Sequence, residues 1–266
     1  MKQFKEVFFH VGLGKVASTF LQQQLFPKLC GIHYIGPQQY KKSAVIIRRS
    51  KESKILVSRE FDKQLEEELR WFCQEVPHPR VIICLRRQDD WIASQYRRRV
   101  KNGWLIPFDE FIDLEKDQGF WKKEELYYQP KIDLIKEITG HEPLVMRYDQ
   151  LREKPEVFVR RICDFMDVPV PESVNYHPVH RSFTDKQLIV LQWFCRTFVR
   201  SVPRGRSNKI LHWLLYRPAW ACYHLILYGA TLIPRSWIGR RELIDPEALE
   251  SVRKFYEMDW EQVMKA

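Results

Sequence analysis

Lys15, Ser18 and Thr19 stand in a glycine-containing stretch, His10 to Leu21, that follows the apolar run Val7 to Phe9 and precedes apolar residues at helical spacing, Phe20, Leu21 and Leu25. A strand that passes through such a turn into a helix start gathers backbone N–H groups and the positive helix end, which together attract a phosphate. The residues expected to line this cradle are Gly14, Lys15, Val16, Ala17, Ser18 and Thr19. The chemistry they suit is the holding of a phosphorylated ligand, with the two hydroxyls as additional donors.

The loop departs from the nucleotide-binding pattern G-x-x-x-x-G-K-S/T. Gly12 and Thr19 fit its ends, but Ala17 and Ser18 replace its Gly-Lys pair, and the lysine stands three residues earlier at Lys15. From there it reaches a different oxygen of the ligand, so the loop is phosphate-binding in type without being suited to ATP hydrolysis.

A second cationic position lies at Arg86. The run Val81 to Leu85 reads as a fully buried parallel strand, and it ends in Arg86 and Arg87 where a magnesium-dependent enzyme would place an acid. Open α/β sheets bind ligands at the carboxyl ends of their strands, so Arg86 is expected to face the same crevice as Lys15. Ser94 follows eight residues later in a segment with acids suited to a helix first turn, Asp89 and Asp90. Arg86 and Ser94 are expected to grip one phosphate together.

The elements needed to position these residues alternate. Strands are expected at 6–11, 55–58, 80–85 and 143–147, and helices at 18–28, 62–75, 89–101, 124–139 and 156–167. That order predicts an α/β fold, a P-loop-like parallel sheet with helices on both faces. The 266 residues, 45% hydrophobic and without an internal repeat or a linker, predict a single domain over 1–266. Within it, 1–170 forms the nucleotide-binding core and 171–266 a helical C-terminal elaboration.

These motifs resemble those of sulfotransferases that use 3′-phosphoadenosine 5′-phosphosulfate. The 5′-phosphosulfate loop of that family is matched at Gly12, Lys15, Ser18 and Thr19, with Ala17 in place of the usual glycine. Its 3′-phosphate motif is matched at Arg86, Ser94 and Tyr96, with Gln88 where proline is usual. A third similar stretch, Pro143 to Pro155, precedes a helix closing in Phe165, Met166 and Asp167. The similarity covers about residues 5 to 170.

The resemblance implies transfer of a sulfuryl group to a hydroxyl, with 3′,5′-adenosine bisphosphate as the product and no metal. Lys15 would stabilise charge on the leaving oxygen. Glu60, just after the strand ending at Ser58, would accept the acceptor's proton, with His33 and His10 as weaker candidates. Tyr148 would lie near the adenine, and Arg181, in the segment His177 to Ser182, would assist at the 3′-phosphate. Tyr96 to Phe111 resembles bacterial carbohydrate-type members, which implies a glycan or glycolipid acceptor and no nucleic acid.

The net charge of +10 suits an anionic donor, although it equally suits other polyanions. The run Arg97 to Lys101 is expected to form a solvated face. Six cysteines show no metal-ligand spacing; Cys84 and Cys163 read as small core residues. Reduced thiols and the lack of an N-terminal signal peptide lead to the expectation of a cytoplasmic protein.

Residues 210–233 are strongly apolar and aromatic, with cations outside both ends. Arg217, Pro218 and two histidines argue against a bilayer span. A pair of helices broken near Pro218 is expected. The alternative is a peripheral contact through 210–240 on the inner membrane face, with Trp213, Trp220 and Tyr223 beside Arg204, Arg206, Arg235 and Arg240. Two other functions remain open: a P-loop kinase or ATPase, and a non-catalytic binder of polyanions or membranes.

Overall fold

The computed structural model describes residues 5–177, 183–199, 209–239 and 242–265, and of 209–216 and 219 the backbone. Its strands are β1 (Glu6–His10), β2 (His33–Ile35), β3 (Lys54–Ser58), β4 (Arg80–Leu85) and β5 (Leu144–Arg147). The α-helices are α1 (Ser18–Phe20), α2 (Ser43–Arg49), α3 (Leu65–Glu75), α4 (Gln88–Lys101), α5 (Phe108–Phe111), α6 (Gln129–Thr139) and α7 (Tyr148–Glu153). They continue with α8 (Pro155–Met166), α9 (Asp185–Phe194), α10 (Lys209–Gly229), α11 (Arg235–Ile238), α12 (Pro246–Phe255) and α13 (Glu257–Lys265).

The strands form one sheet in the order β2-β3-β1-β4-β5, and every pairing is parallel. Parallel neighbours demand helical crossovers, which is why the apolar strands β1, β3 and β4 are buried almost throughout. Phe8 and Phe9, adjacent in β1, point to opposite faces of the sheet. Phe8 meets Phe165 of α8 edge-on at 5.9 Å, and Phe9 meets Phe72 of α3 at 4.2 Å. Helices therefore cover both faces, as the alternating pattern predicts.

The chain divides into two compact units. The first holds 1–87, 127–179 and 256–266, including the whole sheet, and the second holds 88–126 and 180–255. In the second, α4 packs with α9 and α12, Trp91 meets Trp121 edge-on at 5.0 Å, and Arg97 makes a two-pronged ion pair with Asp185 at 2.7 and 3.0 Å. Arg97, from the run expected to form a solvated face, is thus half-buried in a specific pairing.

Several elements differ from the sequence expectation. The helix expected over 18–28 is α-helical only to Phe20, widens into a π turn over Leu21–Leu25 and ends as a 3₁₀ turn, Phe26–Lys28, containing Pro27. The helix expected over 124–139 is two pieces, a 3₁₀ turn at Lys123–Leu126 and α6, whose first turn contains Pro130. The segment 210–233 is not two helices. α10 runs through Pro218 without a break, because a proline within a long helix-forming segment can bend the helix while flanking hydrogen bonds hold it. Among the described residues no helix is long and apolar enough to cross a membrane.

Candidate active site

The chain leaving β1 stays clamped between its two neighbours. Val11 N donates to Ile82 O at 3.1 Å, Phe61 N to Val11 O at 3.0 Å, Cys84 N to Gly12 O at 2.7 Å and Leu13 N to Cys84 O at 3.1 Å. These bonds fix the start of the loop at the carboxyl edge of the sheet. Gly12 has φ +100, and a Cβ there would lie 3.1 Å from the Glu60 Cα, so only glycine lets the loop pass this close to the exit of β3.

Beyond Gly12 the backbone coils tightly, with Lys15 at φ 67 and Ala17 at φ 76. Left-handed residues of this kind turn successive N–H groups toward one concavity, the geometry that holds an anion. Lys15 is exposed, Val16 is fully buried as the loop's anchor, and Thr19 is half-buried. Ser18 is turned inward, and its hydroxyl donates to Leu13 O at 2.9 Å, bracing the loop from beneath. Its backbone N–H begins α1.

Two carboxylates flank the loop. Gly14 N donates to Asp62 Oδ1 at 2.9 Å. A Cβ on Gly14 would lie 3.2 Å from that oxygen and 3.5 Å from Glu60 Oε2. Glu60 is therefore beside the residue that precedes Lys15. Asp62 is a residue that sequence reasoning missed: nothing in a lone acid 48 positions from Gly14 announces the bond.

The two histidines are placed differently. His10 is fully buried, and burial pushes its imidazole down to about 3, so it is neutral. It lies in register with Ser58 on β3, and its Nδ1 is 2.8 Å from Ser58 Oγ; Gln22 Nε2 donates to that oxygen at 3.1 Å. His33 begins β2 level with Ile55, toward the start of β3 and away from the loop, with its Nδ1 2.9 Å from Ser50 Oγ.

Arg86 follows β4 by one residue. Its guanidinium carbon lies 4.8 Å from the ring centre of Tyr148, the first residue of α7, a cation–π contact that orients the arginine. The Tyr128 hydroxyl donates to Arg86 O at 2.6 Å. Tyr128 is pinned in turn: its own N–H and that of Gln129 donate to the buried Asp259 of α13 at 2.8 and 3.0 Å. Tyr128 and Asp259 belong to the support of Arg86 and carry no sequence signal, because they act through backbone atoms.

Lys15, Glu60, Arg86 and Tyr148 all belong to the first unit, and the loop is bonded directly to the last residues of β4. Ser94 is half-buried two turns into α4, in the second unit. Arg181 lies outside the described residues.

No family model and no curated protein matches the chain by sequence. Its fold is similar to the crystal structure of a sulfotransferase from Alicyclobacillus acidocaldarius, with TM-score 0.51 and 15% identity over 82% of this chain and 99% of that one. The fold is sulfotransferase-like. Two positions at the carboxyl edge of the sheet are cationic: a coiled loop with an exposed lysine after β1, and an arginine laid on an aromatic ring after β4.

Proposed function

We propose that the protein transfers a sulfuryl group from 3′-phosphoadenosine 5′-phosphosulfate to a hydroxyl of a glycan or glycolipid acceptor. The observation carrying this reading is that Lys15 and Arg86 leave the ends of two adjacent parallel strands, with Arg86 held over Tyr148 at 4.8 Å. A doubly anionic nucleotide can bridge two such positions, its 5′ end in the loop of residues 14–19 and its 3′-phosphate on Arg86. Tyr148 is assigned to the adenine side of the site.

In the transfer, the acceptor oxygen forms a bond to sulfur while the bridging S–O bond breaks, and the departing electron pair stays on the oxygen of the bisphosphate. Such loose, in-line transfers depend on positioning and on stabilising charge at the leaving oxygen. Lys15 supplies that charge. Glu60, beside Gly14, takes the acceptor's proton. Because Ser18 spends its hydroxyl hydrogen on Leu13, its part in anion binding is assigned to its backbone N–H.

The glycan assignment draws on the carbohydrate-type resemblance of Tyr96 to Phe111. The test is transfer of labelled sulfate from the donor to a panel of glycans and glycolipids without added metal. Transfer to at least one member supports the proposal; phosphoryl transfer from ATP in its place sinks it.

A further inference from the structure

Ten of the 44 Lys and Arg residues, and none of the 34 Asp and Glu residues, fall between positions 186 and 241. Outside that stretch the two kinds balance at 34 each, so the chain's entire excess of +10 is concentrated in 56 residues. The same stretch holds four of the nine tryptophans, at 193, 213, 220 and 237. A charge needed only for solubility would be spread over the surface and mixed with acids.

The described part of this stretch, in the second unit, shows what accompanies the charge. α10 turns Tyr223 and Leu227 inward, Ala230 just past its end is also buried, and Gln187 Nε2 of α9 donates to Leu227 O at 2.8 Å. Tyr223 packs against Gly103, whose added Cβ would meet its ring at 2.9 Å, so this tyrosine is excluded from the headgroup role considered for it. About half a turn around the helix from the buried line, the outward side carries Leu225, 74% exposed, and Tyr228, 62% exposed. Leu232, just past the helix end, is 86% exposed, and Trp237 of α11 is 81% exposed. Arg217 and Arg235 are exposed on the same two helices.

A helix on a soluble surface normally turns its polar side to water. Here the exposed residues include Leu225, Tyr228, Leu232 and Trp237, accompanied by Arg217 and Arg235, in a stretch that itself contains no Asp or Glu. This composition matches helices that lie in the plane of a membrane surface, with the apolar side in the acyl boundary and the cations among anionic headgroups. We infer that this face of the second unit docks peripherally on a bilayer surface bearing anionic lipid. The inference is independent of the reaction assigned to Lys15 and Arg86.

The full chain would be sedimented with vesicles of phosphatidylcholine alone and of phosphatidylcholine mixed with phosphatidylglycerol. Binding to the mixed vesicles alone, lost at about 0.5 M salt and accompanied by a blue shift of tryptophan emission, is expected. The double variant Leu225→Glu/Leu232→Glu should bind them about tenfold more weakly. Its melting temperature and its affinity for 3′,5′-adenosine bisphosphate should be unchanged, since both side chains lie in water. Trp237→Ala provides an independent, smaller reduction. Wild-type protein that stays in the supernatant, or a double variant that binds like wild type, overturns the inference. So does a double variant that alters only the oligomeric state, which would make the face a contact between copies of the chain.

Discussion

The Arg86 guanidinium lies 4.8 Å from the centre of the Tyr148 ring, joining the end of β4 to the first residue of the helix after β5. The stacking fixes the direction of a charge that would otherwise sample many rotamers. Tyr148→Phe keeps the ring and should leave affinity for 3′,5′-adenosine bisphosphate within about twofold, whereas Tyr148→Ala should cost about 0.5–2 kcal/mol. Equal losses in the two variants would show that the hydroxyl, rather than the ring, matters.

Lys15 and Glu60 flank the loop from its exposed and its sheet sides, and their variants should separate chemistry from binding. Lys15→Ala is expected to lower kcat by about 10²–10³-fold, and Glu60→Gln by about 10²-fold, with bisphosphate affinity largely retained in both. A Glu60→Gln variant with wild-type kcat would remove Glu60 from proton transfer.

Ala17 occupies a left-handed conformation, φ 76, at the position where the resembled family has glycine. An L-residue there carries strain of about 1 kcal/mol that glycine does not. Ala17→Gly is therefore expected to raise stability slightly, by about 0.5 kcal/mol after the entropy of the unfolded glycine is counted, whereas Gly12→Ala should lower it by about 2 kcal/mol or more. Urea unfolding of the two variants checks both signs, and a stabilising Gly12→Ala would contradict the close approach to Glu60.

His10 gives the fold a pH dependence whose sign follows from burial. Its folded value, about 3, lies below the ordinary 6.5, so below pH 6.5 the unfolded chain takes up a proton that the folded chain refuses. Stability present at neutral pH should fall as pH drops from 6.5 toward 3, by at most about 1.4 kcal/mol per pH unit from this group. In His10→Gln the fall in the urea midpoint between pH 7 and pH 5 should be smaller. An identical fall in the two proteins would mean that other groups govern it.

The sheet was legible where its strands are long and uniformly apolar: β1, β3, β4 and β5 all stand where the hydrophobic runs lie. β2 was not, because a three-residue edge strand, His33–Ile35, is too short to show a period. The short helix Tyr148–Glu153 was not legible either, because six residues between a strand and the next helix are too few to show a helical period. In the candidate site, Lys15, Arg86 and Glu60 could be proposed from sequence because loop, strand and helix signals bracket them. Asp62, Tyr128 and Asp259 could not, since each acts on a backbone group far away in the chain, and such contacts leave no spacing to read.

Calorimetry of 3′,5′-adenosine bisphosphate binding to wild-type protein and to Arg86→Ala tests the central claim most directly. One nucleotide should bind per wild-type chain without metal, and the variant should bind about 10- to 100-fold more weakly, the loss expected for a charge-assisted hydrogen bond. Equal Kd values in the two proteins, or no binding to either, would contradict the assignment of two anion positions at the ends of β1 and β4.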